Sequence, residues 1–247
     1  MAPRMPLTDD DRLRVAPAAR ARSLSGPSAE PLLAIAGLAK HWRGRPAPTL
    51  DGLELEMRPG EVVSVTGRNG AGKTTLLRIL GGLVAPDRGD VVLDGIRLGT
   101  RRRAYQRQIG LLTPGDRGLY ARVTVARHLD LWARLALLER DARAAAIGDC
   151  YARFELAELA DLRVDVLSMG QRQRVRLALA FLHAPRLVLL DEPANSLDLE
   201  ALAIVRGAVD DVARRGDLCL VVAPEGAPTG IDVERALVLR DGRLEPA

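Results

Sequence analysis

Gly67-Arg68-Asn69-Gly70-Ala71-Gly72-Lys73-Thr74 is the stretch on which the reading of this chain turns. It fits the pattern G-x-x-x-x-G-K-[ST], in which small residues let successive backbone N–H groups point inward at phosphates. The segment before it, Val62-Val63-Ser64-Val65-Thr66, is a short β-branched run and reads as a strand. The segment after it, residues 74–81, opens Thr74-Thr75 and carries helix formers, so a helix N-terminus adds partial positive charge to the loop. Lys40 and Lys73 are the only lysines in a chain whose other strong cations are all arginine, so a lysine at position 73 stands out. Its ammonium would reach β- and γ-phosphates as a compact point charge, and the Thr74 hydroxyl would ligate Mg²⁺ beside phosphate oxygens.

Working outward, Arg186-Leu187-Val188-Leu189-Leu190-Asp191-Glu192 is an apolar strand ending in two carboxylates, at the edge where an α/β sheet places ligand groups. Asp191 suits Mg²⁺, and Glu192 would face the γ-phosphate, where it could orient and deprotonate an attacking water. Alone, an acidic pair after a strand marks a turn; behind a phosphate loop it gains meaning. Upstream, residues 32–35 read as a strand and residues 53–57 alternate with period two before the Arg58-Pro59-Gly60 turn, which implies an antiparallel start. Residues 91–95 predict a strand and turn, and residues 124–138 and 142–159 carry apolar side chains at helical spacing, Leu129, Trp132, Leu135 and Leu138 among them. Helices over about 171–183 and 199–214 then alternate with strands at 187–190 and 218–222, before a closing strand-turn-strand about Asp241-Gly242. That alternation predicts an α/β fold with a mainly parallel sheet.

Leu167-Ser168-Met169-Gly170-Gln171, followed by the basic helix Arg172-Gln173-Arg174-Val175-Arg176, closely resembles the LSGGQ signature of ATP-binding-cassette (ABC) proteins, with Met169 in place of one glycine. Taken alone, Ser168 is equally an N-cap. Asn195-Ser196-Leu197-Asp198 resembles the family's D-loop, and Trp42 is placed like the aromatic that stacks on adenine, although a lone Trp also serves as simple packing. The resemblance runs from about residue 32 to 244. It implies a P-loop NTPase (RecA-like) core with an antiparallel β subdomain and a helical signature subdomain at roughly 116–170, inside a domain spanning 31–245. It further implies two cassettes facing head to tail with Mg-ATP between them. Trp42 and Gly67, Arg68, Asn69, Gly70, Ala71, Gly72, Lys73, Thr74 and Thr75 of one cassette would bind the nucleotide, opposite Ser168, Gly170 and Gln171 of the other, with Asp198 at the interface. Thr74 and Asp191 would hold the metal; Glu192 and Lys73 would be catalytic. The implied partners are a transmembrane permease on another chain and a second cassette, and the implied place is the cytoplasmic face of the membrane.

Two positions depart from the family's pattern. After Gln108-Ile109-Gly110-Leu111-Leu112, where a glutamine is usual, the chain reads Thr113-Pro114-Gly115-Asp116-Arg117. The continuation Gly118-Leu119-Tyr120-Ala121-Arg122-Val123-Thr124 looks like the LYxRLT stretch of cassettes serving exporter-type permeases, so export is expected. Leu119, Tyr120 and Trp132 offer apolar side chains for a permease there, with core packing the competing role for Trp132. At the position of the switch histidine stands Pro224, in Ala223-Pro224-Glu225. Proline has neither a side-chain donor nor an N–H, so sound ATP binding with slow turnover is expected, and Glu225 is expected to point outward. A cassette that binds ATP and leaves hydrolysis to a better partner is the competing reading.

Composition sets the outer limits. With 47% hydrophobic and 28% charged residues the chain can bury a good core. A net charge of +4 without a concentrated basic stripe argues against nucleic-acid binding, and Cys150 and Cys219 are isolated, without metal spacing. The first thirty residues mix Pro, Ala, Arg, Ser and Asp with no apolar core of a secretory signal, and are expected to form an extension without stable structure.

Overall fold

The structure is a computed structural model; it describes residues 30–44, 46–115, 118–194, 197–227 and 229–247. Expectations for residues 1–29, for Asp116 and Arg117, and for Asn195 and Ser196 of the D-loop lie outside these.

Two sheets form. Strands β1 (Leu33–Lys40), β2 (Leu50–Met57), β4 (Arg88–Leu93) and β5 (Ile96–Arg97) make a four-stranded antiparallel sheet in the order β2-β1-β4-β5. The alternation in residues 53–57 shows as buried Leu53, Leu55 and Met57 between exposed Glu54 and Glu56. The second sheet has six strands, adding β3 (Val62–Gly67), β6 (Ile109–Leu112), β7 (Leu187–Asp191), β8 (Leu218–Pro224), β9 (Arg235–Arg240) and β10 (Arg243–Pro246), in the order β10-β9-β3-β8-β7-β6. All neighbours in it are parallel except β10, which turns back on β9.

This second sheet is covered on both faces, which is why its central strands are continuously apolar. In β7, Leu187 and Leu189 enter one hydrophobic cluster with Leu76 and Leu80, whereas Val188 and Leu190 enter the other with Phe181 and Val209. β8 repeats the division, with Leu218, Leu220 and Val222 on one side and Cys219 and Val221 on the other. The first face is packed by α1 (Lys73–Leu80) and the antiparallel sheet, the second by α5 (Met169–Phe181) and α6 (Leu199–Arg214). Gly110 in β6 allows α5 to approach closely, since a Cβ there would collide with the Ala180 carbonyl.

Between β6 and β7 lies the helical insert, α3 (Val125–Leu135) and α4 (Arg140–Arg153). Thr124 caps α3 by accepting from the Arg127 N–H. The second helix starts and stops earlier than its apolar spacing predicts. Glu155 in the left-handed region, at φ 50°, turns the chain after Arg153, and Ala157–Leu159 form a 3-10 turn. A five-residue helix, α2 (Arg102–Gln106), and strand β6 had no expectation attached, because both are too short to display a period. Among the described residues no helix is long and apolar enough to cross a membrane.

Candidate functional site

β3 runs straight into the glycine loop, and α1 begins at Lys73. The loop needs its glycines. Gly72 has φ 114°, and a Cβ on it would stand 2.9 Å from the Thr49 carbonyl oxygen. Lys73 is 7% exposed, and its Nζ donates to the carbonyls of Gly67 (2.6 Å) and Arg68 (3.1 Å). The ammonium is thus held inside the loop, whose Arg68, Asn69 and Gly70 remain exposed.

The neighbouring strand ends supply the carboxylates. β8 pairs with β3 on one side and with β7 on the other, so the ends of all three strands lie side by side. Thr74 Oγ1 donates to Asp191 Oδ2 at 3.1 Å. Asp191 is 5% exposed, and burial raises its carboxyl pKa above the usual range, with the Thr74 hydrogen bond pulling the other way. A buried carboxylate and a hydroxyl, both hard oxygen donors, fit a Mg²⁺ ion, whose charge would offset the desolvation that burial imposes on the carboxylate. Glu192 follows with φ 52°, and its N–H donates to the Val222 carbonyl at 2.9 Å. A β-strand that turned at 192 in the ordinary way would send this side chain elsewhere; the left-handed residue is strained and persists because its neighbours hold it.

Pro224 pairs with Gly67 across the β8–β3 ladder, so the proline stands beside the start of the phosphate loop. Glu225 donates its N–H to the Gly67 carbonyl at 3.2 Å, while its carboxylate turns to Arg240 at 3.5 Å on the surface. Thr113 follows Leu112, which pairs with Leu190; it therefore stands one step along, level with Asp191.

Trp42 lies near the loop. Its Nε1 donates to Thr75 Oγ1 at 3.4 Å, and Lys40 Nζ sits 5.0 Å from its ring centroid. The segment is tied down by Asp87, which accepts from Lys40 Nζ and from the His41 N–H, both at 2.7 Å. The Lys40 hydrogen bond, then that of His41, hold the Asp87 carboxyl below its usual pKa. Asp87 was not singled out from sequence: it sits 46 residues from His41, and no local pattern announces such a pair.

Ser168, Gly170, Gln171 and Asp198 assemble separately. Ser168 caps α5 in a reciprocal box: its Oγ accepts from the Gln171 N–H at 3.2 Å, and Gln171 Oε1 accepts from the Ser168 N–H at 2.8 Å. The N-cap role is therefore present, and it leaves the helix start facing a cleft of about 260 Å³, which Glu155, Arg174 and Asp198 also line. Asp198 caps α6, accepting from the Ala201 N–H at 2.8 Å. No residue of the phosphate loop lines this cleft. Met169, in place of a glycine, is 70% exposed beside it.

In the loop before α3, Tyr120 is 58% exposed, whereas Leu119 and Trp132 pack against the core beneath. Trp132 thus takes the packing role. His128 is buried and shapes this loop: its Nε2 accepts from the Tyr120 N–H at 2.8 Å and its Nδ1 donates to the Thr124 carbonyl at 2.9 Å. Both cysteines are buried thiols, that of Cys150 pushed up to about 12 by burial.

Comparison with known proteins agrees with this arrangement. The ABC transporter family profile matches residues 50–195. Over 162 residues the chain is 36% identical to the ABC transporter ATP-binding protein NatA of Bacillus subtilis, the match spanning 66% of each protein. Over 216 residues it is 38% identical to the phosphonates import ATP-binding protein PhnC 1 of Natronomonas pharaonis, covering 86% of this chain and 91% of that one. Its fold superposes, with a TM-score of 0.77 and 25% identity over 86% of this chain and 96% of the other, on a dimeric post-hydrolysis state of the ATP-binding cassette MJ0796 bound to ADP and Pi. With a phosphate loop, a metal-suited Thr74–Asp191 pair and an exposed start to the signature helix in one P-loop α/β fold, this chain belongs to the ABC transporter family, as one of its ATP-binding, ATP-hydrolysing subunits.

Proposed function

We propose that this chain binds and hydrolyses Mg-ATP at the interface of two cassettes and drives export through a permease on a separate chain. The observation that carries the proposal is the division of the site. The phosphate loop, Thr74, Asp191 and Glu192 are gathered at one sheet edge, while Ser168 and Asp198 line a cleft that contains none of them. A nucleotide on the loop needs a second surface to reach a signature serine, and the cleft of another cassette supplies it.

In this reading Lys73 leaves its two carbonyls for the β- and γ-phosphates, the loop N–H groups cradle the chain of phosphates, and Trp42 stacks on adenine. Thr74 and Asp191 hold Mg²⁺, which when bound neutralises charge on the phosphate oxygens. Glu192 orients the attacking water and takes its proton. Ser168 and the first-turn amides of α5 meet the γ-phosphate from across the interface. ATP then binds the closed pair far better than the open one, and loss of the γ-phosphate removes the bridge. For direction we propose export, supported by the Gly118–Thr124 stretch; import, the role printed for the phosphonate relative, is the competing assignment. The proposed location is the cytoplasmic face of the membrane, with no role in binding nucleic acid.

The test is ATP hydrolysis by the purified chain with Mg²⁺, beside Glu192→Gln. The variant should lose about 10³-fold in kcat and still bind ATP. A variant as fast as wild type would remove Glu192 as the base. Equal and negligible rates in both proteins would favour the second reading, a nucleotide-binding cassette that works with a more active partner, for which Pro224 beside Gly67 is the specific observation.

A further inference from the structure

We infer that Gln173 is a positioning residue for Glu192, linking the signature helix to the catalytic carboxylate of the same chain; this rests on the reading of Glu192 as the base. Gln173 lies on α5, five residues beyond the Ser168 cap and so about 7 Å along the helix axis. It is a polar side chain only 6% exposed, on a face whose other members, Leu177 and Phe181, belong to the core. A glutamine in that position must find partners for its amide.

It finds them at the strained turn. Gln173 Nε2 donates to the Pro193 carbonyl at 3.2 Å, and Gln173 Oε1 accepts from Arg176 Nη1, which fixes the orientation of the amide. The turn holding Glu192 is therefore gripped on both sides: β8 takes the Glu192 N–H through the Val222 carbonyl, and α5 takes the Pro193 carbonyl. Glu192 at φ 52° needs such a grip, because a non-glycine residue leaves the left-handed region when its neighbours allow it. The same helix carries, at its N-terminus, the surface proposed to meet the partner's nucleotide. A displacement of α5 on that contact is transmitted through one buried amide to Pro193, the residue that follows the base in the same turn. The sequence signal is a glutamine at the apolar positions i, i+4, i+8 of a helix, with Leu177 and Phe181.

The test uses single-turnover hydrolysis, with protein in excess over ATP and Mg²⁺ present, on wild type, Gln173→Glu, Gln173→Leu and Glu192→Gln, with ATP affinity and Tm measured on each. Gln173→Glu keeps an acceptor for Arg176 and loses the donor to Pro193; Gln173→Leu loses both. Both should hydrolyse about ten-fold more slowly at unchanged ATP affinity. The deficit of Gln173→Glu should shrink as pH falls and its new carboxyl regains a proton to donate. A wild-type rate in Gln173→Glu overturns the inference, as does a loss confined to Tm with the folded fraction at full rate. If Glu192→Gln matches wild type, the base reading itself fails and this inference with it; if Glu192→Gln is inactive and the Gln173 variants are not, the link alone fails.

Discussion

The two halves of the site are built to opposite rules. At the sheet edge, Lys73, Thr74 and Asp191 are buried or half-buried, hydrogen-bonded to one another or to the loop, and set by paired strands. At the signature, Ser168 and Met169 are exposed and Gly170 is half-buried, and Ser168 and Gln171 are satisfied by a local capping box, which an isolated helix start can make. The first half is finished within one chain; the second is a surface where the capping box takes the Gln171 N–H and the helix start otherwise lies ahead of the first intrahelical hydrogen bonds. In the proposed function this difference locates the work of ATP: a ligand held by the finished half would be bridged by bringing the unfinished half of another molecule to it.

That contrast can be broken experimentally, and the largest effect belongs to the finished half. Pro224→His puts a side-chain donor beside Gly67, and turnover should rise by up to about 10², measured as kcat at saturating ATP. No gain would mean that the strand end there does not face the γ-phosphate. Ser168→Ala should lower hydrolysis about ten-fold and weaken ATP-driven dimerisation, while ATP affinity of the monomer stays as it was. Reduced monomer affinity would place Ser168 in its own chain's site and erase the distinction between the halves. The smallest effect concerns Asp191 without metal. Its carboxyl pKa is raised by burial, so the carboxyl stabilises the fold fully below its unfolded pKa and loses that contribution as pH rises through the raised value. Asp191→Asn should therefore raise the metal-free Tm at neutral pH, with the gap closing in acid. A Tm below wild type at neutral pH would mean that the ionised carboxylate is already compensated in the absence of Mg²⁺.

Much of this was legible in the chain itself. The order of strand, glycine loop and helix about residues 62–80 and the α6 span of residues 199–214 stand as read, because each rests on local chemistry: glycines for the turn, β-branched residues for the strand, a carboxylate cap for the helix. Glu225 faces outward as expected, and Pro224, which counting put at the switch-histidine position, pairs with Gly67. The second insert helix was read six residues too far, since Leu156 and Leu159 continue the apolar spacing while Glu155 has already turned the backbone. Strand β6 escaped because four residues display no alternation when both faces are covered. Asp87 and Gln173 escaped for another reason: each acts on a residue distant in sequence, and although the helical spacing of Gln173 with Leu177 and Phe181 marks it as inward-facing, nothing local names its partner.

What the sequence alone determined is therefore residue chemistry: a glycine loop ending in a lysine, oxygen donors in Thr74 and Asp191, a carboxylate next to them and a capped basic helix. Each depends on residue type within a few positions. What only the tertiary structure decided is which of these share a site. Parallel pairing of β3, β8 and β7 sets the loop, Pro224 and Asp191 side by side, and the packing of α5 on the far face of the sheet gives Ser168 a cleft of its own while bringing Gln173 to the Pro193 carbonyl. Strand order and helix packing are settled by burial summed over the whole chain, a quantity that no short stretch of sequence contains.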